Sequence, residues 1–174
     1  MNNIYLLGFM ATGKTSVGRK LAKMKKWRFL DLDDLIELRQ RMTISDIFAK
    51  KGEAYFRSVE KNILREVSKE KRFVIACGGG IVLNKENIAV MKQTGKLICL
   101  EASVEAILKR ARGSSARPLL NVDDQKERIV SLLAFRKPFY RQVDHTIDTS
   151  KLSEDQVAKK IAALLKRKGR SKKK

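Results

Sequence analysis

The sequence predicts an α/β protein in which a parallel sheet of five strands is covered by helices on both faces. Short apolar segments alternate with helical patterns from one end of the chain to the other. These segments are apolar throughout rather than at every second residue, which is typical of strands buried on both faces of a sheet. The 174 residues are enough for one domain with a hydrophobic core and leave little room for a second.

Strand and helix patterns follow one another in the order that a parallel sheet requires. The predicted strands cover residues 3–8, 27–32, 73–80, 96–102 and, as the weakest of the five, 145–150. Amphipathic spacing predicts helices over residues 14–24, 33–41, 43–52, 53–70, 84–95, 103–112 and 153–167. Thr43 and Ser103 are suitable N-caps, while Gly52 and Gly95 end two of the helical segments.

Two segments lack these patterns. Residues 113–124 contain a proline and several small polar residues without any period, which is typical of a mobile functional loop. Residues 166–174 contain seven basic residues and no acidic one, so we expect a solvated, disordered tail. The predicted domain is therefore residues 1–165.

The composition indicates a globular protein with anionic ligands. The chain is 43% hydrophobic, but no apolar run approaches the roughly 20 residues of a membrane span. We expect no signal peptide, since a strand-like run begins at once without a basic region and a long apolar segment. Cys77 and Cys99 lie within apolar runs, which favours buried thiols and a reducing, cytoplasmic compartment. The net charge is +20, and about +13 remains without the tail. The tail offers loose, salt-sensitive contact with nucleic acid or a membrane surface as an alternative.

Residues 8–15 (GFMATGKT) match the P-loop pattern G-x-x-x-x-G-K-[ST] between a predicted strand and a predicted helix. The glycines allow successive backbone N–H groups to point at phosphate oxygens, and the helix N-terminus adds positive charge. Lys14 is expected to reach the β- and γ-phosphates, and the Thr15 hydroxyl to bind Mg²⁺. The predicted ATP-binding residues of this loop are Ala11, Thr12, Gly13, Lys14, Thr15 and Ser16.

The acidic partner of the metal is expected at the end of the second strand. A typical P-loop ATPase has an acidic residue at the end of a later apolar strand, but here that position is Cys77. Asp31 and Asp33 follow the second strand, and the carboxyl ends of the strands form the ligand crevice of such sheets. Asp34 is interpreted as a first-turn helix residue that favours the helix dipole.

Three consecutive glycines follow the third strand, at positions 78, 79 and 80. A turn needs only one or two glycines, so this segment predicts a close approach of bare backbone to a small polar substrate. A flexible connection is the alternative.

Taken together, these motifs resemble the shikimate kinase family. The similarity covers nearly the whole chain up to the basic tail. It rests on the segments GFMATGKTSVG, FLDLDD, TISDIF, GEAYFRSVE, CGGGIV, RPLL and FRKPFYRQV, in that order. It implies a three-layer P-loop kinase fold with strand order 2-3-1-4-5 and a mobile lid at about residues 112–124. It also implies ATP-dependent phosphorylation of the 3-hydroxyl of shikimate, in the biosynthesis of chorismate and the aromatic amino acids.

On the substrate side, the resemblance implies that Asp33 holds the shikimate hydroxyls, and it leaves open whether Asp33 or bulk water accepts the proton. Arg57 and Arg136 are expected to bind the substrate carboxylate, for which a bidentate guanidinium is well suited. Backbone contacts are expected from Gly79 and Gly80. Phe48 and Phe56 match positions that line the substrate pocket.

On the nucleotide side, the resemblance implies that Arg117 closes over the phosphates from the lid and that Arg110 lies against the adenine. Asp31 is expected to act on Mg²⁺ through water. Lys14, Asp33 and Arg117 are thus the expected catalytic residues, since phosphoryl transfer needs alignment and neutralisation of negative charge.

Ala11 departs from the pattern, because the family usually has glycine at this position of the P-loop. If the position needs a positive φ, alanine is strained there by roughly 1 kcal/mol. The departure bears on ATP affinity and not on the class of reaction.

Three other functions are compatible with parts of the sequence. A gluconate kinase would share the P-loop and the lid, and a nucleoside monophosphate kinase would need a base-recognition pocket. A nucleic-acid-associated P-loop protein would fit the net charge and the basic tail. The segments FRSVE and CGGG favour shikimate. We expect a monomer, since no exposed apolar helix face is evident.

Overall fold

The computed structural model describes residues 2–111 and 125–167. At its centre is a sheet formed by β1 (Asn3–Leu7), β2 (Arg28–Asp31), β3 (Phe73–Ala76), β4 (Gly95–Glu101) and β5 (His145–Asp148). The strands stand in the order β2-β3-β1-β4-β5, and every neighbouring pair is parallel. The predicted fold class and strand order are therefore confirmed.

The described helices are α1 (Lys14–Lys25), α2 (Leu32–Gln40), α3 (Ile44–Val67), α4 (Lys85–Thr94), α5 (Val104–Ala111), α6 (Gln125–Tyr140) and α7 (Glu154–Arg167). A short 3₁₀ turn, Ile81–Leu83, connects β3 to α4. Thr43 caps α3 by accepting the Asp46 N–H, as expected. Gly95 is the first residue of β4, so α4 passes into the strand without a loop.

Two elements differ from the sequence pattern. The helices expected on either side of Gly52 form one kinked helix, α3, in which Gly52 has φ 80° and ψ 169°. Helix α6 did not emerge from the pattern, because its apolar residues are spread around the helix: Val130 and Phe135 are exposed while Ile129 is buried. Pro138 lies inside the same helix and weakens the pattern further.

The core is divided by the sheet into two layers. Alternate residues of the central strand β1 point to opposite faces, so Tyr5 and Leu7 pack with helices α2 to α4 while Ile4 and Leu6 pack with α1 and α7. Cys77 and Cys99 are buried in the first of these layers as free thiols, as the sequence predicts.

The sheet gathers three chemically distinct segments at the carboxyl ends of three adjacent strands. β1 leads into the P-loop, β2 ends at Asp31, and β3 leads into the three glycines. No helix in residues 2–111 and 125–167 is long and apolar enough to cross a membrane. The expected lid and residues 168–174 of the expected tail lie outside the described residues, and α7 includes Lys166 and Arg167.

Candidate active site

The P-loop has the backbone conformation that its glycines permit. Gly8 and Gly13 have φ values of 133° and 93°, and a Cβ on Gly8 would overlap the Leu100 carbonyl. Ala11 has φ 59°, so the positive φ considered for this position is present on a non-glycine residue. Gly13 is the N-cap residue of α1, which places the positive helix end at the loop.

Lys14 lies across the loop. Its Nζ donates hydrogen bonds to the carbonyl oxygens of Gly8 at 3.0 Å and Phe9 at 2.9 Å. Thr12 is buried, and its hydroxyl donates to the Phe9 carbonyl at 2.8 Å, a hydrogen bond that stabilises the turn of the loop. The ammonium group is therefore held by main-chain acceptors beside the N–H groups expected to bind phosphate.

Thr15 and Asp31 form a pair of oxygen ligands next to the loop. The Thr15 hydroxyl donates to Asp31 Oδ2 at 2.7 Å, while Asp31 Oδ1 caps α2 by accepting the Asp33 N–H at 3.1 Å. Hydroxyl and carboxylate oxygens are the donors that Mg²⁺ prefers, with water and phosphate completing its shell. No cluster of three or more His, Cys, Asp or Glu in the described ranges could hold a metal alone, which suits a metal bound mainly through phosphates and water.

Asp33 is placed in the first turn of α2 with its carboxylate directed into the cavity. Its Oδ1 is buried and has no hydrogen-bond partner among the described residues. Burial and the neighbouring Asp31 charge raise the pKa of Asp33 to about 6, although the positive charges of Lys14 and Arg57 act in the opposite direction. An unpaired buried carboxylate is expected to bind a donor from a ligand.

Arg57 is fixed by two carboxylates of its own helix. Its Nη1 donates to Glu60 Oε2 at 2.8 Å and its Nη2 to Glu53 Oε1 at 3.2 Å, and the guanidinium lies 5.0 Å from the centroid of the Phe56 ring. Glu60 is fully buried, and burial raises its pKa to about 7 while the Arg57 charge opposes the shift. The side chain of Arg57 is only 25% exposed, so it is held in place rather than solvated.

The three glycines after β3 face charged side chains, and Gly78 faces two of them, Asp33 and Glu60. A Cβ on Gly78 would lie 2.8 Å from Asp33 Oδ1, and a Cβ on Gly79 would lie 3.3 Å from Arg136 Nη1. A Cβ on Gly80 would overlap the Arg57 guanidinium. The glycine segment is therefore packed closely against these groups, which favours the predicted close approach over a flexible connection.

Arg136 reaches this segment from α6 and is almost fully buried, with 6% exposure. Its guanidinium lies 5.7 Å from the centroid of the Phe9 ring, and its Nε has no hydrogen-bond partner among the described residues. A buried cation with spare donors is suited to an anionic ligand group.

Arg110 connects the P-loop to the loop after β5. Its guanidinium donates to the Thr149 carbonyl at 2.7 Å, to the Thr149 hydroxyl at 3.0 Å and to the Ala11 carbonyl at 3.4 Å. Arg110 thus lies at the side of the cavity that is expected to hold the adenine. Arg117, the other arginine assigned to ATP, lies outside the described residues.

One cavity of about 1210 Å³ brings most of these groups together. Its lining includes the P-loop residues 10–17 and, beyond them, Asp31, Asp33, Phe48, Phe56, Arg57, Glu60, Cys77, Gly78, Gly79, Gly80, Arg110, Arg136 and Thr149. The cavity therefore has one side at the P-loop and another side where Asp33 and Glu60 lie with Arg57 and Arg136.

Three residues of this region were not assigned from the sequence. Glu60 is on the buried stripe of α3, four residues after Phe56 and three before Ile63. A carboxylate at a core position of an amphipathic helix is unusual, and this could have identified Glu60 from the sequence. Thr149 and Tyr140 gave no such signal, because their partners are distant in sequence: Thr12 for the first and Gly79 for the second.

Comparisons with known proteins agree with this geometry. The family model described as shikimate kinase matches residues 10–166. The shikimate kinase of Thermoanaerobacter pseudethanolicus is 48% identical over 92% of this chain and 94% of its own length. That of Caldanaerobacter subterraneus is 46% identical over 98% of this chain and 100% of its own.

Solved structures give the same result for the fold. A shikimate kinase from Acinetobacter baumannii in complex with shikimate has a TM-score of 0.94 and 38% identity, covering 100% of this chain and 96% of that one. The shikimate kinase of Aquifex aeolicus has a TM-score of 0.84 and 33% identity, covering 97% and 98%.

Proposed function

The chain belongs to the shikimate kinase family, and we propose that the residues of its cavity carry out the family reaction in the roles set out below. The reaction transfers the γ-phosphoryl group of ATP to the 3-hydroxyl of shikimate, giving 3-phosphoshikimate and ADP in aromatic biosynthesis. One observation supports the substrate side most strongly: three consecutive glycines face Asp33, Arg136 and Arg57 in turn.

The two arginines bind the shikimate carboxylate. Arg57 is oriented by its carboxylate partners, and Arg136 is buried with spare donors, so the pair offers preorganised charge on one wall. The backbone of Gly79 and Gly80 approaches the ring, because neither residue has a side chain between the ligand and these guanidinium groups.

Asp33 accepts hydrogen bonds from the shikimate hydroxyls and orients the attacking oxygen toward the γ-phosphate. Its buried, unpartnered Oδ1 is suited to this role. If it also takes the proton of that hydroxyl, it acts as a general base whose pKa, at about 6, is close to neutral pH.

The P-loop residues 11–16 bind the ATP phosphates through backbone N–H groups, and Lys14 neutralises charge on the transferred group. Arg110 borders the adenine, and Arg117 contributes a further positive charge to the phosphates. Thr15 and Asp31 would hold Mg²⁺, the first directly and the second through water. When bound, Mg²⁺ would neutralise charge on the β- and γ-phosphates.

A coupled assay for ADP tests this function, with shikimate, gluconate and nucleoside monophosphates as alternative acceptors. We expect ADP to form with shikimate as acceptor and not with gluconate or the nucleoside monophosphates. Asp33→Asn should keep ATP binding while kcat falls by orders of magnitude, since both hydroxyl positioning and any base role are affected. Asp34→Asn is the matched control, because Asp34 is exposed on the same helix and outside the cavity. Near-normal turnover of Asp33→Asn would refute its assignment.

We also propose that the protein acts as a monomer in the cytoplasm and that its tail contacts nucleic acid only non-specifically. The large apolar side chains exposed in the described residues are scattered over α1, α2 and α6. Light scattering at increasing protein concentration tests the monomer, and a concentration-dependent rise in mass would contradict it.

A further inference from the structure

The end of helix α6 is attached to the glycine segment by one hydrogen bond. The Tyr140 hydroxyl donates to the Gly79 carbonyl oxygen at 2.6 Å. Tyr140 is 4% exposed, and its ring packs in the core layer that also contains Cys77 and Cys99. The bond joins residues 61 positions apart, so it fixes the last turn of α6 relative to the end of β3.

Arg136 lies one helical turn before Tyr140 on the same face of α6. Both side chains occupy the space beside Gly79, since a Cβ there would lie 3.3 Å from Arg136 Nη1 and 3.6 Å from Tyr140 Oη. Burial raises the pKa of Tyr140, and hydrogen bonding and charge from Arg136 oppose this shift. The Tyr140 hydroxyl is therefore bonded to the glycine backbone at the position that the Arg136 guanidinium also borders.

The guanidinium of Arg136 has few other polar contacts that would orient it. Its Nε lacks a hydrogen-bond partner within residues 2–111 and 125–167, in contrast to Arg57, which has Glu53 and Glu60. No carboxylate in the described part of the chain forms an ion pair with Arg136, so its position depends on its neighbours there, of which Tyr140 is the one that also bonds Gly79.

We propose that Tyr140 is a positioning residue for substrate binding, which sets Arg136 against the Gly79 peptide so that both meet the same carboxylic acid. This inference rests on the proposed function, in which Arg136 binds the shikimate carboxylate. Tyr140 itself does not touch the substrate in this arrangement. Its effect is on recognition of shikimate and not on ATP.

Tyr140→Phe tests the proposal, because it keeps the buried ring and removes only the hydroxyl. We expect KM for shikimate to rise about three- to tenfold, the effect of one lost hydrogen bond, with kcat and KM for ATP nearly unchanged. Tyr5→Phe is the matched control: Tyr5 is fully buried, its hydroxyl is hydrogen-bonded to the Thr94 hydroxyl at 2.7 Å, and it does not line the cavity.

A double-mutant cycle with Arg136→Lys links the effect to the arginine. If Tyr140 acts through Arg136, the two losses in kcat/KM for shikimate are less than additive. Additive losses, an unchanged KM in Tyr140→Phe, or an equal rise in Tyr5→Phe would overturn the proposal. Wild-type protein in the same assay distinguishes failure of this proposal from failure of the proposed function. If the wild type does not turn over shikimate, the proposed function is refuted.

Discussion

Ala11 is the residue at which the P-loop holds a positive φ, 59°, without glycine. We predict that Ala11→Gly changes the free energy of unfolding by less than about 1 kcal/mol, because relief of strain is offset by the greater freedom of glycine in the unfolded chain. Denaturation and KM for ATP measure the outcome. Ala11→Val should be clearly destabilised, since β-branched residues tolerate this region least. A large gain in ATP affinity in Ala11→Gly would show that alanine distorts the loop.

Arg136→Lys should raise KM for shikimate well above the wild-type value. Lysine keeps the charge but loses the planar fork that binds a carboxylate through two parallel bonds. Steady-state kinetics with varied shikimate checks this prediction. Arg128→Lys is the control, because Arg128 is exposed on the same helix. An unchanged KM for Arg136→Lys would argue against the assignment.

Glu60 should make the stability of the protein depend on pH. Its pKa is about 7 in the folded protein, against 4.5 ordinarily, because it is buried. Between these values the folded state retains the proton that the unfolded state has lost. Stability should therefore fall as pH rises through this window, by up to about 1.4 kcal/mol per pH unit.

Denaturation curves from pH 4 to pH 8 measure this dependence, and Glu60→Gln should reduce it, with the remainder coming from Asp33, whose pKa is also raised, to about 6. The exposed Glu66 provides the control, since Glu66→Gln leaves the buried carboxyl in place. Parallel pH profiles for wild type and Glu60→Gln would contradict the prediction.

At the scale of single residues, the sequence was informative where spacing is diagnostic and silent where it is not. Lys14 and Thr15 follow from the P-loop pattern alone. Arg57 and Arg136 do not, because in a chain with 39 Lys and Arg a basic side chain on an amphipathic helix is ordinarily a surface charge. Only the resemblance selected them, and burial of both side chains now supports that selection.

Among the elements, α3 carries cavity-lining aromatic residues on both sides of its kink. Phe48 precedes Gly52 and Phe56 follows it, and their ring centroids lie 4.9 Å apart. At φ 80° and ψ 169°, Gly52 occupies a region that is essentially restricted to glycine. The kink therefore depends on this residue.

Gly52→Ala should destabilise the protein by roughly 1–3 kcal/mol through backbone strain alone, because a Cβ there meets nothing within 4 Å. It should also raise KM for shikimate, since the two halves of α3 would change their relative orientation. Ala54→Gly, at an exposed position of the same helix, is the control: it costs about 1 kcal/mol of helix stability without affecting KM. Equal KM values in the two variants would show that the kink does not shape the site.

Strands β1, β3 and β4 were predictable because their residues are almost continuously apolar, whereas β5 (HTID) gave the weakest signal. Most helices were predictable because one stripe is apolar. Helix α6 was missed because one of its buried residues, Arg136, lines the cavity and another, Tyr140, packs in the core. Arg136 and Tyr140 are buried and Phe135 is exposed, so the apolar residues of α6 do not form a single stripe.

For the whole molecule, the topology explains why distant segments form one site. Parallel strands place all their carboxyl ends at one edge, so the loops after β1, β2 and β3 meet there although they are up to 70 residues apart. The strand order could not be deduced from apolar patterns, which are the same for any arrangement of buried parallel strands. It came from the resemblance and is confirmed by the sheet.

The net charge of +20 raises the question of whether the basic tail takes part in catalysis. The described residues that line the cavity end at Val157, before the tail begins. Removal of residues 168–174 leaves α7 intact to Arg167. We therefore predict that this truncation changes kcat for shikimate little, at low and at physiological salt.

A full-length variant with Lys172, Lys173 and Lys174 replaced by glutamine controls for charge apart from length. Both variants should bind RNA more weakly than wild type, with a smaller salt dependence, because phosphate contacts are lost. Loss of most activity on truncation would contradict the prediction. ATP turnover that RNA stimulates in wild type but not in the truncated protein would instead assign the tail a function, since non-specific contact gives no reason for RNA to affect phosphoryl transfer.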